Sequence, residues 1–278
     1  MSIRSRILPD GWYPGTSGEI KARLQAWGRV DGAASVAGAM AAIVPHAGWT
    51  YSGRIAWAAW RSAAKADAIV ILGGHLPAGA EFRCFMEEGF ETPLGTIVSD
   101  AALRDYVATE TSAISDAWAD NTIEVHLPMV AFAFPGVPVS CFRAPNDSSA
   151  NTLGIAIAEY AKKSQRRVFV VGSTDLTHYG PSYGFTPGGP GPMGFTWARR
   201  ADKAISEAFL AMDEDLALER AESDSSACSV GAALATIAYA KSMGATRSRL
   251  LMRGSSDEIS PGGDSSVGYC SIAFLPED

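Results

Sequence analysis

Apolar and polar positions follow two alternating rhythms along this chain. Short continuous apolar runs, rich in β-branched residues, recur between longer stretches whose apolar positions return every three to four residues. The first kind reads as strands covered on both faces and the second as amphipathic helices. Ala41–Val44 is the first predicted strand. A helix is expected over Gly53–Lys65, with Ile55, Ala59 and Ala63 on one face and Ser52 as its cap. Ala68–Leu72 is the second strand, and Phe82–Met86 and Phe90–Val98 read as an antiparallel excursion. Ser99 opens a helix over Asp100–Val107. Asn121 caps another that runs through His126 to about Phe134, with Pro128 in its first turns. Strand Val137–Arg143, helix Ser149–Lys163 and strand Arg167–Val171 follow. Helices over Thr196–Met212, Asp215–Ala221 and Ala227–Met243 lead to the closing strands Ser248–Arg253 and Val267–Leu275. The alternation predicts an α/β fold: one domain over residues 1–278, a sandwich with a central, mainly parallel or mixed sheet covered by helices.

Two stretches break the rhythm. Tyr179–Phe195 (YGPSYGFTPGGPGPMGF) is too rich in Gly and Pro for regular structure, and Gly254–Gly268 is rich in Gly and Ser. A long structureless loop inside a compact domain is usually functional or disordered. The four histidines stand beside such breaks. His46 follows the first strand in P-H-A-G-W, His75 follows the second in G-G-H-L-P, and His178 follows Arg167–Val171 in S-T-D-L-T-H-Y-G. His126 sits near a helix start in E-V-H-L-P. One histidine in a Gly/Pro turn reads as an ordinary hydrogen-bonding turn residue. Several at the carboxyl ends of strands, where ligands bind in open α/β sheets, point to a shared site. Asp175, three residues before His178, either orients that imidazole or serves as a turn or cap aspartate.

Cys228 is the cysteine placed for chemistry. It follows the capping cluster Ser223–Ser226 and begins an apolar helix, and a helix N-terminus favours the thiolate. Cys84, Cys141 and Cys270 lie inside apolar runs and read as small buried hydrophobes.

Composition narrows the options. Hydrophobic residues make up 47% and charged residues 19%, a globular balance with material for a core. A net charge of −7 argues against nucleic acid as a partner. The one basic cluster, Lys162, Lys163, Arg166 and Arg167, lies at a predicted helix end, where it suits the helix dipole. No apolar run is long enough for a membrane span, the N-terminus lacks a secretory apolar region, and the cysteines form no disulfide or zinc pattern. A reducing cytoplasm is the expected compartment. G-x-G-x-x-G after a strand, G-x-x-x-x-G-K-[ST], H-E-x-x-H and G-x-S-x-G are all absent, which removes support for nucleotide, zincin and α/β-hydrolase chemistry.

The motifs in order are W-Y-P-G (Trp12–Gly15), I-V-P-H-A-G-W-x-Y-S-G (Ile43–Gly53), G-G-H (Gly73–His75), E-x-H-L-P (Glu124–Pro128), S-x-D-x-x-H-Y-G (Ser173–Gly180), the Cys228 helix start and V-G-Y (Val267–Tyr269). Together they resemble the MEMO family, whose microbial members are labelled AmmeMemoRadiSam system protein B. The resemblance covers nearly the whole chain. It implies a fold like that of the class III extradiol ring-cleavage (LigB-like) dioxygenases. It also implies His46, His75 and Cys228 as ligands to iron(II) or copper, with zinc admitted by the donor set. His126, Asp175 and His178 would line the same pocket as acid–base or supporting groups. Cys228 would stand where the dioxygenases carry a carboxylate. Thiolate is softer and oxidisable, which favours copper(I), zinc or thiolate-ligated iron. Ser229 departs from the family pattern, where Gly is expected after the cysteine, and would tighten the backbone there.

Three functions follow as expectations. One is a metal-dependent, dioxygenase-like oxidoreductase acting on a small organic molecule, with the Tyr179–Phe195 loop as lid. Another is metal-independent chemistry with Cys228 as nucleophile and His46 or His126 as base. The third is a non-catalytic metal- or peptide-binding protein of a modification or signalling pathway. The family grouping implies a radical-SAM protein as partner.

Overall fold

The computed structural model describes residues 2–30, 36–118 and 120–277. Strand β1 (Ile3–Arg4) leads to helix α1 (Ser17–Val30), which has no counterpart among the predicted elements. Only Ile20 and Leu24 of α1 are buried, so its apolar stripe is thin. Its start is nonetheless written as T-x-x-E: Thr16 N–H donates to Glu19 Oε2 and Glu19 N–H to Thr16 Oγ1, each at 3.3 Å, a reciprocal capping box. Strand β2 (Ala41–Val44) is followed by a π-helical turn (Trp49–Gly53), helix α2 (Arg54–Ser62) and strand β3 (Ala68–Leu76). Short strand β4 (Arg83–Cys84), hairpin β5 (Gly89–Thr92) and β6 (Gly95–Val98), helix α3 (Ala101–Thr111) and strand β7 (Ile114–Ser115) come next. Helices α4 (Asn121–Glu124) and α5 (Leu127–Ala133), strand β8 (Val139–Pro145), helix α6 (Ala150–Ser164), strand β9 (Val168–Ser173) and strand β10 (His178–Tyr179) follow. The chain continues through helices α7 (Pro192–Ala211), α8 (Glu214–Asp224) and α9 (Val230–Ser242), strand β11 (Arg247–Ser255), helix α10 (Ser256–Ile259) and strand β12 (Ser266–Leu275).

Among the described residues, nine strands form the central sheet in the order β10-β12-β2-β9-β3-β8-β4-β7, with β11 also paired to β12. The middle strands β2, β9, β3 and β8 are parallel, and β12 and β4 flank them antiparallel. The sheet is therefore mixed, parallel at its centre. The hairpin β5–β6 belongs with β1 to a separate three-stranded sheet. The continuous apolar runs have a direct cause, because successive side chains feed opposite cores. Ala41, Ile43, Val70 and Val170 pack on the side of α6 and α9, while Ala42, Val44, Ile71 and Val171 pack with Trp49, Trp57 and Trp60 on the other. Helix α9 is buried along its whole length from Val230 to Ala240, as a helix apolar on all sides must be.

Several boundaries differ from the sequence reading for identifiable reasons. Strand β3 extends past Leu72 through His75, and β9 past Val171 to Ser173, where Val44 pairs with Ser173 across the ladder. Ser52 is not a cap; it sits in the π turn and its hydroxyl donates to Ala47 O at 2.9 Å. Asp120 rather than Asn121 caps α4, accepting from Thr122 N–H at 2.8 Å, and Asp100 rather than Ser99 caps α3, accepting from Leu103 N–H at 3.2 Å. The Gly/Pro stretch is partly regular: Pro181–Tyr183 form a 3₁₀ turn, and α7 starts at Pro192 with proline in its first turn. The basic cluster is engaged, with Arg166 on Asp100 at 2.7 Å, Arg167 on Asp67 at 2.6 Å and Lys163 over the Tyr106 ring.

Helix α6 approaches α9 where Gly154 lacks a side chain; a Cβ there would lie 1.9 Å from the Ala235 carbonyl oxygen. Backbone cannot yield cheaply, so overpacking outweighs the gain in helix propensity. Gly154→Ala is expected to destabilise the fold by about 1–3 kcal/mol in denaturant titration. Gly18→Ala, with open space around it, should be neutral or slightly stabilising. Equal effects at the two sites would refute the close helix contact.

Candidate metal centre

The parallel strands β2, β3 and β9 end on the same edge of the sheet and bring their distant segments together. His46, two residues beyond β2, is 1% exposed. Its backbone N–H donates to Asp175 Oδ1 at 2.7 Å, which fixes the segment to the turn after β9. Its Nδ1 lies 3.0 Å from Ser173 Oγ and its Nε2 3.3 Å from Cys228 Sγ.

His75 has φ +58°, a left-handed conformation that costs a non-glycine residue of order 1 kcal/mol or more. The surroundings over-determine it. Arg143 Nε donates to Gly74 O at 2.8 Å, Thr122 Oγ1 accepts from Gly74 N–H at 3.3 Å, and Ser229 Oγ accepts from His75 N–H at 3.2 Å. The paired glycines have a steric reason. A Cβ on Gly73 would lie 2.2 Å from Thr122 Oγ1, and one on Gly74 would lie 2.3 Å from Ser229 Cβ. Ser229 thus anchors His75. The imidazole Nδ1 is 3.4 Å from Asp120 Oδ2, which also pairs with Arg143 at 3.2 Å. Its ring meets His46 edge-on with centroids 5.0 Å apart.

Cys228 lies two residues ahead of α9, not in its first turn. Its N–H donates to Asp175 O at 3.2 Å, and Asn146 Nδ2 donates to its carbonyl at 3.1 Å. Burial alone would raise the thiol pKa, but the charge of His46 and the converging imidazoles of His178, His46 and His75 outweigh it and hold the group well below its ordinary value. The thiolate is therefore supported by three imidazoles rather than by the helix terminus that the sequence suggested. Burial likewise opposes charge on the imidazoles and is outweighed. Asp120 and Cys228 push His75 up to about 10, and Asp175 and Cys228 push His178 up to about 9. His46 is raised against full burial by the charges of Asp175 and Cys228.

One ligand atom each from His46, His75 and Cys228 lies within 4.8 Å of the others, and among the described residues this is the group placed to hold a metal ion. The donor chemistry fits. Two imidazoles and a thiolate suit iron, copper or zinc, and both imidazole Nδ1 atoms are held from behind, as ligating histidines commonly are. His178 Nε2 adds a further sign. It is buried 3.9 Å from Asp175 Oδ2 without a hydrogen-bond partner in the protein.

These residues floor a cavity of about 670 Å³ walled by Trp12, Tyr51, Asn121, Tyr183 and Tyr269, with Asp10 at its edge. Of the six residues singled out from the sequence, His46, His75, Asp175 and His178 line it and Cys228 touches His46 beneath. His126 stands one layer behind. It is fully buried, its Nε2 is 3.0 Å from Ser173 Oγ, and burial together with His46 pushes its pKa down to about 3. Asp120 and Ser173 were not singled out, because nothing local distinguishes them from turn, strand and capping residues, and Ser229 was noted for its backbone effect rather than as a hydrogen-bond acceptor for His75. The S-x-D-x-x-H spacing did contain Ser173. The Gly/Ser stretch before β12 contributes Ser256, Ser260, Gly263 and Ser265 to the wall.

Comparison with known proteins shows the family and the fold. The family model described as Memo-like protein matches residues 6–273. A MEMO1 family protein of Methanopyrus kandleri is 30% identical, over 88% of this chain and 85% of that protein. One from Pyrobaculum arsenaticum is 32% identical, over 85% and 83%. One from Nitrosopumilus maritimus is 28% identical, over 98% and 100%. Among solved structures, an uncharacterised Escherichia coli K12 protein aligns with TM-score 0.52 and 12% identity, covering 84% of this chain and 98% of that one, a likeness of fold.

The V-G-Y motif seats one more carboxyl. A Cβ on Gly268 would lie 2.0 Å from Asp202 Oδ2, while Asp202 Oδ1 accepts from Thr177 N–H at 2.9 Å beside His178. Burial raises the Asp202 pKa to about 6, against about 4 in an unfolded chain. Its folded pKa being the higher, its favourable contribution is complete below about pH 4 and is lost as pH rises through about 6. Asp202→Asn, which keeps an acceptor for Thr177, should therefore gain melting temperature relative to wild type between pH 4 and pH 7. A difference that stays constant across that range would contradict the buried carboxyl.

Proposed function

The chain belongs to the Memo-like family, and from that premise we propose that His46, His75 and Cys228 hold a redox-active metal ion, iron(II) or copper, in a dioxygenase-like oxidoreductase acting on a small organic molecule. The observation that carries this reading is the convergence of three ligand atoms within 4.8 Å beneath a cavity of about 670 Å³. Zinc is admitted by the same donors. A bound ion of this kind supplies Lewis acidity and, for iron or copper, electron transfer.

The chain's own residues do the rest. With the Cys228 thiolate, one of the two charges that hold His178 protonated up to about pH 9, engaged by a bound cation, the imidazole would be freed to act as base: its Nε2 would take the proton of a phenolic or similarly acidic hydroxyl, and Asp175 would support the imidazolium that results. The Tyr183 ring, 5.0 Å from that of His178, covers the site from the Gly/Pro segment and helps exclude water. Trp12, Tyr51 and Tyr269 offer flat apolar walls with polar edges, suited to an aromatic or peptide ligand. The compartment is a reducing cytoplasm, and the family grouping makes a radical-SAM protein the candidate partner. Among the described residues no helix is long and apolar enough to cross a membrane.

A second reading rests on the contact of Cys228 Sγ with His46 Nε2 at 3.3 Å: metal-independent cysteine chemistry with His46 as base. The third, a metal- or peptide-binding protein without turnover, uses the same cavity.

Protein prepared anaerobically without a His-tag should contain near-stoichiometric iron or copper by ICP-MS. The His46→Ala/His75→Ala variant and the Cys228→Ala variant should contain little. Unchanged metal in these variants would sink the assignment. In metal-free protein at neutral pH, iodoacetamide should label Cys228 far faster than the buried Cys84, Cys141 and Cys270, and restored metal should slow it. Fast labelling in protein that takes up no metal would move the conclusion to the second reading.

A further inference from the structure

Behind the metal centre, two imidazoles and a hydroxyl stand in line. Ser173, the last residue of β9, is fully buried, and its Oγ is 3.0 Å from His46 Nδ1 and 3.0 Å from His126 Nε2. His126 Nδ1 is buried without a partner. A serine hydroxyl has one proton to give, so the line has two polarities. In one, His46 Nδ1–H donates to Ser173, Ser173 donates to His126 Nε2, and His126 keeps its proton on Nδ1. In the other every bond is reversed, and the His46 proton moves to Nε2. Only the first leaves a lone pair on His46 Nε2, the atom that faces Cys228 Sγ.

The two candidate imidazole ligands differ here. Behind His75 Nδ1 stands the Asp120 carboxylate, which can only accept, so the His75 tautomer is set unconditionally. Behind His46 stands a hydroxyl, which accepts or donates equally well. Something must claim the serine proton, and His126 Nε2 is the group in reach. An apolar residue at 126 would spare the cost of burying the orphaned Nδ1, but would free Ser173 to donate back to His46. The orphan also ends the line. His126 has no onward acceptor and is not on the cavity wall, so the line orients His46 and does not carry protons to solvent.

We propose that Ser173 and His126 are positioning residues forming a one-directional hydrogen-bond line that fixes His46 as its Nδ1–H tautomer and presents Nε2 for coordination. The proposal rests on the reading of His46 as a metal ligand. It withdraws His126 from acid–base work and gives it the task of setting the direction of a bond two groups away from the metal.

The test loads histidine-¹⁵N-labelled protein with Zn(II), which is diamagnetic, and records long-range ¹H–¹⁵N spectra of the imidazoles. His46 and His126 should both appear as Nδ1–H tautomers. Ser173→Ala and His126→Leu should each weaken Zn(II) binding about 10- to 100-fold in chelator competition, and His46 in His126→Leu should show mixed tautomers. His126→Gln, whose side-chain carbonyl accepts from Ser173, should recover most of the affinity, which a merely space-filling role would not require. Wild-type affinity in both Ser173→Ala and His126→Leu, or His126 found as Nε2–H, overturns the proposal. If His126→Leu does not fold, the contrast between His126→Gln and Ser173→Ala decides. If wild-type protein takes up no zinc, the metal reading fails on its own. The His126 tautomer in the metal-free protein still tests the line: Nδ1–H supports it and Nε2–H overturns it.

Discussion

The site depends on Asp175 more than on any ligand. One carboxylate oxygen accepts from the His46 backbone N–H at 2.7 Å, and the residue's own carbonyl accepts from Cys228 N–H at 3.2 Å. A single residue after β9 thus ties together chain segments 129 and 53 positions away, one carrying an imidazole and the other a thiolate. The same carboxylate then faces the side chains of His46 and His178, each at 3.9 Å. Placement and charge balance come from one group, so losing it would displace the ligands and remove the field that supports their charged forms at once.

Around that tie, the fold makes room by omission. β3 carries two residues without Cβ at the point where Thr122 and Ser229 press in from α4 and the turn before α9. The chain then turns at His75 into a backbone region few side chains adopt, held by Arg143, Thr122 and Ser229. Ser229 takes part in that hold. Its hydroxyl is the acceptor for the strained residue's N–H, in the space left free by Gly74.

Much of this was legible in the sequence, for particular physical reasons. Runs such as Ala68–Leu72 predict strands because both faces of the sheet are covered, and strand ends collect His46 and His75 because ligands gather at the carboxyl edge of parallel strands. Three kinds of feature escaped. Helix α1 buries only two side chains, too few to draw a stripe, and its capping box was the remaining signal. Caps fell one residue off at Asp120 and Asp100, because adjacent Asp, Asn and Ser are equivalent cap formers until a backbone geometry chooses. The cause of the Cys228 thiolate was missed as well, since three imidazoles converge from segments far apart in sequence while a helix start can be read locally.

The raised histidine pKa values carry a meaning beyond protonation. His75, pushed up to about 10, and His178, up to about 9, report that Asp120, Asp175 and Cys228 make this buried edge favourable to positive charge despite the penalty of burial. Protons held on His46 and His75 and a divalent cation held by them would answer the same field. They compete for the same lone pairs, because a ligating imidazole must be neutral. His126 lies outside that competition. It is pushed down to about 3 where His178 is pushed up, because full burial and then the His46 charge oppose its charged form. One small region thus holds three histidines, His46, His75 and His178, favoured in the charged form in front of one held neutral behind. This division suits a site that takes up a cation at its face and keeps a fixed hydrogen-bond acceptor at its back.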